Sequence, residues 1–358
     1  MKFFARFDFQ ILLAVLIISI LGLSIIWSLE SSLFTQQLIF FVIGLFFFFL
    51  FTKLDFRIFE NLSWFLYGGS LVFLILTFLF GQVTRGSIRW IKILDFTIQP
   101  SEIVKPFLVL FFASLLSKDE KLPLSKILGV LLFLFIPLIF IFKQPDLGST
   151  LVVLASFFGI LLASGISLSY ILAGFLALVV FSPIVWFFLK SYQKVRILSF
   201  LNPYSDPLSS GYHLIQSVIT VGSGEIFGRG LGRGTQSHLA FLPEHHTDFI
   251  FASLSEELGF LGAILLIFCY FVILSRILKI AQTSPSTFGS LACFGIFSLL
   301  SFQIFVNIGM NMGLLPITGI TLPLVSYGGS SILATMISLG IVESIACFKK
   351  PEETIEIK

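Results

Sequence analysis

The sequence predicts an all-α, polytopic integral membrane protein, and three observations carry that prediction. The first is composition: residues of the AVILMFWYC set make up 57% of the chain and charged residues 11%. A soluble domain is about 45–50% apolar and about 25% charged. The second is length of run, since many apolar stretches approach the roughly 20 residues a helix needs to cross hydrocarbon. The third is period. The runs lack the alternation of a transmembrane barrel, and a helix satisfies its own backbone in lipid. The 358 residues therefore read as one membrane domain, 1–358, with no visible internal repeat. An ordinary soluble enzyme, a disordered tail and a nucleic-acid binder are excluded, and a net charge of +3 is too small to suggest a polyanion partner. Cys269, Cys293 and Cys347 fall in apolar segments and read as small core residues rather than a disulfide framework.

About ten spans follow, bounded by charge or by Gly/Pro loops. The run 10–29 follows a short basic start and lacks a small-residue cleavage site, so it is read as a first helix that stays. Then come 35–52, ending at Lys53; 64–80, ending at Gly81; 101–117, opening behind Pro100; and 127–142, between Lys126 and Lys143. The runs 149–166 and 168–189 sit back to back around Gly165. The last three are 249–274, 288–308 and 330–347.

Cation placement sets orientation. With the N-terminus inside, the inner segments carry Lys2, Arg6, Lys53, Arg57, Lys118, Lys121, Lys126, Arg276, Lys279, Lys349, Lys350 and Lys358. The short outer loops carry only Arg85, Arg89, Lys92 and Lys143. Both termini are thus expected in the cytoplasm. The segments 81–100, 190–248 and 309–329 are expected outside, the second a long extracytoplasmic loop between the seventh and eighth spans. A loop that long usually carries function.

Five stretches concentrate chemistry. In 99–105, Ser101 can cap a helix, and Glu102 and Lys105 share one face. A charge inside a span is costly, so the pair is either functional or a structural ion pair. In 143–150, Asp146 reads first as a helix cap. In 190–203, Lys190, Lys194 and Arg196 precede an apolar run, which suits a segment lying in the membrane interface. The fourth, 211–249, holds Gln216, a glycine-rich run and all four histidines. It has neither a phosphate-loop nor an HExxH spacing, so no metal site is marked. Its last carboxylate, Asp248, sits where polar loop enters the eighth span. Glu256 and Glu257 lie about two turns deeper and need partners, Lys105 being one candidate. The fifth, 307–331, has Pro316, Pro323, Ser326 and Gly328-Gly329. It reads as a re-entrant or cavity-lining loop, because irregular backbone at membrane depth must pack on protein or line a cavity.

Together these residues resemble the shape, elongation, division and sporulation (SEDS) family. The match rests on 307–331, on Gln99-Pro100-Ser101-Glu102, on Gln144-Pro145-Asp146-Leu147-Gly148 and on 242–251, in the expected order, over about residues 85–347. The stretch 234–243 is closer to the rod-shape members than to the division members, and Glu225 stands where glycine is expected. The resemblance implies a peptidoglycan glycosyltransferase of the cytoplasmic (inner) membrane. It would polymerise lipid II, release undecaprenyl diphosphate, and work in cell elongation with a class B penicillin-binding protein and other elongation-complex membrane proteins. By the same resemblance Asp248 matches the essential loop aspartate, and Trp90, Glu102, Lys105 and Asp146 match cavity-lining or supporting positions. Asp248 is the expected general base. Lys105, Arg89 and Arg196 are expected diphosphate ligands, and Gln216 and Ser326 further substrate-binding or supporting residues. A divalent cation, magnesium or manganese, is an optional helper. The alternatives are a lipid-linked precursor flippase, a division paralogue of the same activity, and a non-enzymatic scaffold.

Overall fold

In the computed structural model the described residues are 7–84, 87–93, 96–118, 123–167, 169, 170, 172, 174, 176, 180, 186, 187, 189–207, 211–239, 241, 242 and 244–348. Among them, seven helices are long and apolar enough to cross a membrane. These are α1 (Phe9–Leu29), α2 (Ser31–Lys53), α4 (Ser63–Phe80), α6 (Leu124–Lys143), α11 (Ile250–Thr283), α12 (Thr287–Asn311) and α13 (Gly329–Cys347). Two apolar helices of 17 residues, α5 (Pro100–Leu116) and α7 (Leu147–Ala163), coincide with the fourth and sixth expected spans. The seventh expected span, 168–189, falls mostly outside the described residues. Shorter helices complete the set: α3 (Phe56–Asn61), α8 (Ser191–Leu201), α9 (Tyr212–Ser223) and α10 (Thr235–His238).

Local chemistry starts several of these helices. Asp8, Asp55 and Asp146 each accept a backbone N–H of the helix they precede, and Ser286 does the same for α12. Such caps satisfy donors that a helix start otherwise leaves orphaned. The core is built on α13, whose faces are almost wholly buried. It packs on α2 through small residues: Gly340 lies against the Phe48 backbone and Gly44 against Met336. Small residues allow that approach where lipid offers no hydrophobic drive between helices. The outer helices keep bulky side chains at the surface, such as Phe65 at 78% and Leu79 at 69% exposed, as a lipid-facing wall requires.

Two features depart from the sequence reading. The segment 82–98 is not a plain loop: β1 (Gln82–Thr84), β2 (Ser87–Ile93) and β3 (Phe96–Ile98) form a small antiparallel sheet in the order β1-β2-β3. The bundle is therefore helical with a β cap. Second, α11 runs on to Thr283 and is broken at Gly259, with φ 67° and ψ −167°. The glycine-rich turn repairs the break. Arg229 N–H and Gly230 N–H donate to the carbonyls of Glu256 and Glu257 (both 2.9 Å), and Phe260 and Leu261 N–H donate to Glu225 and Ile226 (2.9 and 3.2 Å). The glycine-to-Glu change at 225 is accommodated on an exposed residue held at φ 49°.

Gly228 has no room for a side chain: an added Cβ would meet the Glu257 carbonyl at 2.2 Å, and its φ is +77°. Gly228→Ala should therefore destabilise the protein by about 2 kcal/mol or more. Thermal unfolding in detergent reads this as a fall in Tm, and an unchanged Tm would refute the repair contact.

Candidate active site

Where the 82–98 sheet, the starts of α5 and α7, the 190–249 segment and the 312–331 loop converge, they enclose a cavity of about 670 Å³. Each wall has a local cause. Pro100 starts α5 and turns Glu102 and Lys105 inward, where they form a buried pair with side chains 9% and 2% exposed. Ser149 Oγ donates to the same Glu102 Oε1 at 3.2 Å. Asp146 caps α7 through Oδ1 and Ser149 N–H at 3.0 Å. Its Oδ2 accepts from Ser101 Oγ and Gln99 Nε2 at 3.0 and 2.9 Å. One carboxylate thus joins the starts of two helices.

Arg89, carried on β2, donates from Nε to the Gln144 carbonyl at 2.8 Å and from Nη2 to the Pro145 carbonyl. It clamps the turn before α7 while facing the cavity beside Trp90. Lys190 and Arg196 also line the cavity, from α8 and its cap, and Arg196 Nη1 reaches the Thr318 carbonyl at 3.3 Å. On the outward side of α8, Val195, Leu198 and Leu201 are exposed, as the interfacial reading expects.

Asp248 stands at the loop–α11 boundary, half-buried and facing the cavity. The 312–331 loop holds the chain on either side of it. Ser326 Oγ donates to the Thr247 carbonyl at 2.7 Å, and Tyr327 N–H to the His246 carbonyl at 2.9 Å. Gly319, at φ +75°, comes so close that a Cβ there would lie 3.5 Å from Asp248 Oδ2. Glu244 also lines this wall. The nearby His213 imidazole is pushed below its ordinary value by partial burial and then by the Arg196 guanidinium, with Glu244 opposing, so it is neutral at pH 7.

The structure brings Asp248, Glu102, Lys105, Trp90, Arg89, Asp146 and Arg196 to one cavity. Ser326 sits behind it, buried, in a supporting role. Gln216 does not line the cavity; its helix is tied to α12 by the neighbouring Ser217, which donates to the Asn311 carbonyl at 2.9 Å. The expected pairing of Lys105 with Glu256 or Glu257 is also corrected. Glu256 accepts from Gln236 N–H, Ser237 N–H and Ser237 Oγ. Glu257 accepts from Ser28 Oγ at 2.7 Å and lies 2.8 Å from His238 Nε2. The break at Gly259 turns these acids to the loop, so helical spacing could not foretell their partners. The 318–321 backbone lines the cavity as the loop reading expected, but sequence reasoning left Gln99, Ser149, Lys190 and Glu244 unassigned to it. Their signal was the cluster of polar residues beside helix-breaking prolines.

A multi-pass membrane protein with a polar, cation-lined cavity into which loop carboxylates face is the class these features define. The family model described as cell cycle protein, covering FtsW, RodA and SpoVE, matches residues 3–351, and the chain belongs to that family. It is 42% identical over 296 residues, 82% of this chain and 80% of the relative, to peptidoglycan glycosyltransferase MrdB of Escherichia coli K12. It is 36% identical to stage V sporulation protein E of Bacillus subtilis, over 95% of each. Among solved structures it is similar to a chain of a peptidoglycan synthase complex that coordinates polymerization and crosslinking, with TM-score 0.82, 32% identity and 95% and 97% of the two chains covered. It is also similar to the rod shape determining protein RodA of Thermus thermophilus, with TM-score 0.73, 27% identity and 97% and 98% covered.

Removing one partner of a buried pair leaves an uncompensated charge and costs about 3–5 kcal/mol. Lys105→Met should lower stability on that scale, and adding Glu102→Gln should restore most of it. A single variant as stable as the parent in a thermal melt would show that the pair is not structural.

Proposed function

We propose that the chain is a peptidoglycan glycosyltransferase of the cytoplasmic membrane that polymerises lipid II for cell elongation and rod shape. The observation that carries the reading is the half-buried Asp248 carboxylate facing a cavity also lined by Arg89, Lys105, Lys190 and Arg196. Identity of 42% to MrdB against 34% to a probable FtsW supports elongation over division.

In this reading Asp248 takes the proton of the acceptor sugar's 4-hydroxyl as that oxygen attacks the anomeric carbon of the donor. The bond from that carbon to phosphate breaks, and its electron pair leaves with undecaprenyl diphosphate. Attack opposite the leaving group inverts an α-linked donor to a β-linked product. One correctly placed base is what such a step requires. The departing diphosphate is an anion, and Lys190 and Arg196 on the α8 wall are the cations that receive it. Arg89 and Lys105 also line the cavity and contribute field, with donors on Gln144, Pro145 and Glu102.

Two carboxylates of the cavity, Glu102 and Asp146, are already engaged and so are poor ligands for a magnesium or manganese ion. Glu102 is taken by Lys105 and Ser149, and Asp146 by Ser149, Ser101 and Gln99. Among the described residues no three metal-ligating side chains converge. A class B penicillin-binding protein is the partner we assign for crosslinking, supported by the polymerization–crosslinking complex that the chain resembles, within an assembly of other elongation-complex membrane proteins.

Purified protein given lipid II with transpeptidation blocked should form glycan polymer. Asp248→Asn should slow it at least about a hundredfold, within the range general-base assistance supplies. A helix-capping role alone would instead cost about 1 kcal/mol of stability with little change in rate. Lipid II crossing liposomes without polymer would favour a flippase.

The cation distribution supports both termini in the cytoplasm and α8 outside. Ser205 is exposed, and the three native cysteines are buried. A Ser205→Cys variant should react with a membrane-impermeant thiol reagent on intact spheroplasts. Labelling only after lysis would reverse the orientation.

A further inference from the structure

Asp248 is half-buried at the mouth of α11, yet the groups that hold its backbone come from α12. Asn307 and Asn311 lie one turn apart on that helix, so their side chains share a face. Both donate to the same acceptor: Asn307 Nδ2 lies 3.0 Å and Asn311 Nδ2 3.1 Å from the Asp248 carbonyl oxygen. A carbonyl has two lone pairs, and the two amides take both.

Asn311 does more. Its Oδ1 accepts the Ala252 N–H at 3.2 Å. In an uninterrupted helix the Ala252 N–H would donate to the Asp248 carbonyl, four residues back. Here the first such bond onto α11 runs from Ser253 N–H to the Phe249 carbonyl at 3.2 Å. The Asn311 carboxamide therefore sits between a donor and an acceptor that helix geometry would join directly. It acts as an inserted peptide unit and keeps residue 248 out of the helix.

The amides are fixed in turn. Asn311 Nδ2 also donates to the Asn307 carbonyl at 2.8 Å, and Asn307 Nδ2 to the Ile320 carbonyl at 2.7 Å. Ile320 follows Gly319, whose backbone flanks the Asp248 carboxylate. Both asparagines are 0% exposed, so water does not compete for these bonds.

We infer that Asn307 and Asn311 are positioning residues for the transfer step: together they hold residue 248 outside α11 and so aim its carboxylate at the acceptor hydroxyl. The inference rests on the general-base reading of Asp248. It predicts an effect on the chemical step rather than on substrate capture, since neither asparagine lines the cavity. A displacement of the reacting groups by about 1 Å can cost about a hundredfold in rate.

The test is a double-mutant cycle on purified protein with fluorescent lipid II, with thermal stability measured on each sample. Asn311→Ser alone should lower the saturated polymerisation rate by about ten- to a hundredfold, with KM for lipid II changed less than about twofold. In the Asp248→Asn background the same change should alter the residual rate less than about twofold, because residues acting as one unit are not additive. A parental rate for Asn311→Ser, or equal losses in both backgrounds, overturns the inference and leaves the general-base reading standing. A parental rate for Asp248→Asn alone overturns that reading and the inference with it. If Asn311→Ser does not fold, Asn307→Ser keeps the Asn311 bridge, removes one donor from the Asp248 carbonyl, and is judged by the same criteria. If neither folds, the amides serve stability and the inference fails.

Discussion

Hydrocarbon offers no partner to an unpaired peptide group, so each place where a membrane helix stops or bends must be repaired by the protein itself. This chain interrupts regular helix around its cavity, and each interruption is answered. At Gly259 the glycine-rich turn supplies two donors and two acceptors. At the start of α11 the amides of Asn307 and Asn311 take the Asp248 carbonyl. Through 312–328, Gln37 Nε2 holds the Ser326 carbonyl at 3.1 Å, and Tyr270 Oη the Pro323 carbonyl at 2.5 Å. The cavity exists because these repairs let backbone stop being helical without being stranded.

The same constraint sorts the acids. Glu102 pairs with Lys105, and Asp146 ties α7 to α5. Glu256 takes two backbone N–H groups at the start of α10, and Glu257 takes Ser28 and His238. A carboxylate buried without such partners would be expensive. These groups behave as connectors between elements. Asp248 lines the same cavity but stands at a loop–helix boundary, beside Gly319, where a Cβ would lie 3.5 Å from its Oδ2.

Membership of the cell cycle protein family and the geometry bear on different parts of the reading. The relatives bring the class of reaction. The cavity gathers cations from separate elements: Lys190 and Arg196 from α8 and its cap, Lys105 from α5, and Arg89, which also holds the turn before α7.

Much of this was legible in the chain. Hydropathy and caps are local sums, so nine expected spans recur as helices among the described residues, and Asp146 caps α7 as its motif suggested. Helix-breaking residues in 307–331 foretold a loop lining a cavity, and Asp248, singled out at a loop–helix boundary, faces that cavity. Other features depend on elements far apart in sequence. The partners of Glu256 and Glu257, the turn locked by Arg89, the exclusion of Gln216 from the cavity and the bridge made by Asn311 are all such cases. Each joins atoms from separate elements, and no spacing within one element encodes which neighbour will arrive. The sequence by itself determined where chain crosses the bilayer and which residues are polar there. Only tertiary packing decided which of those polar groups bond to one another and which face the cavity.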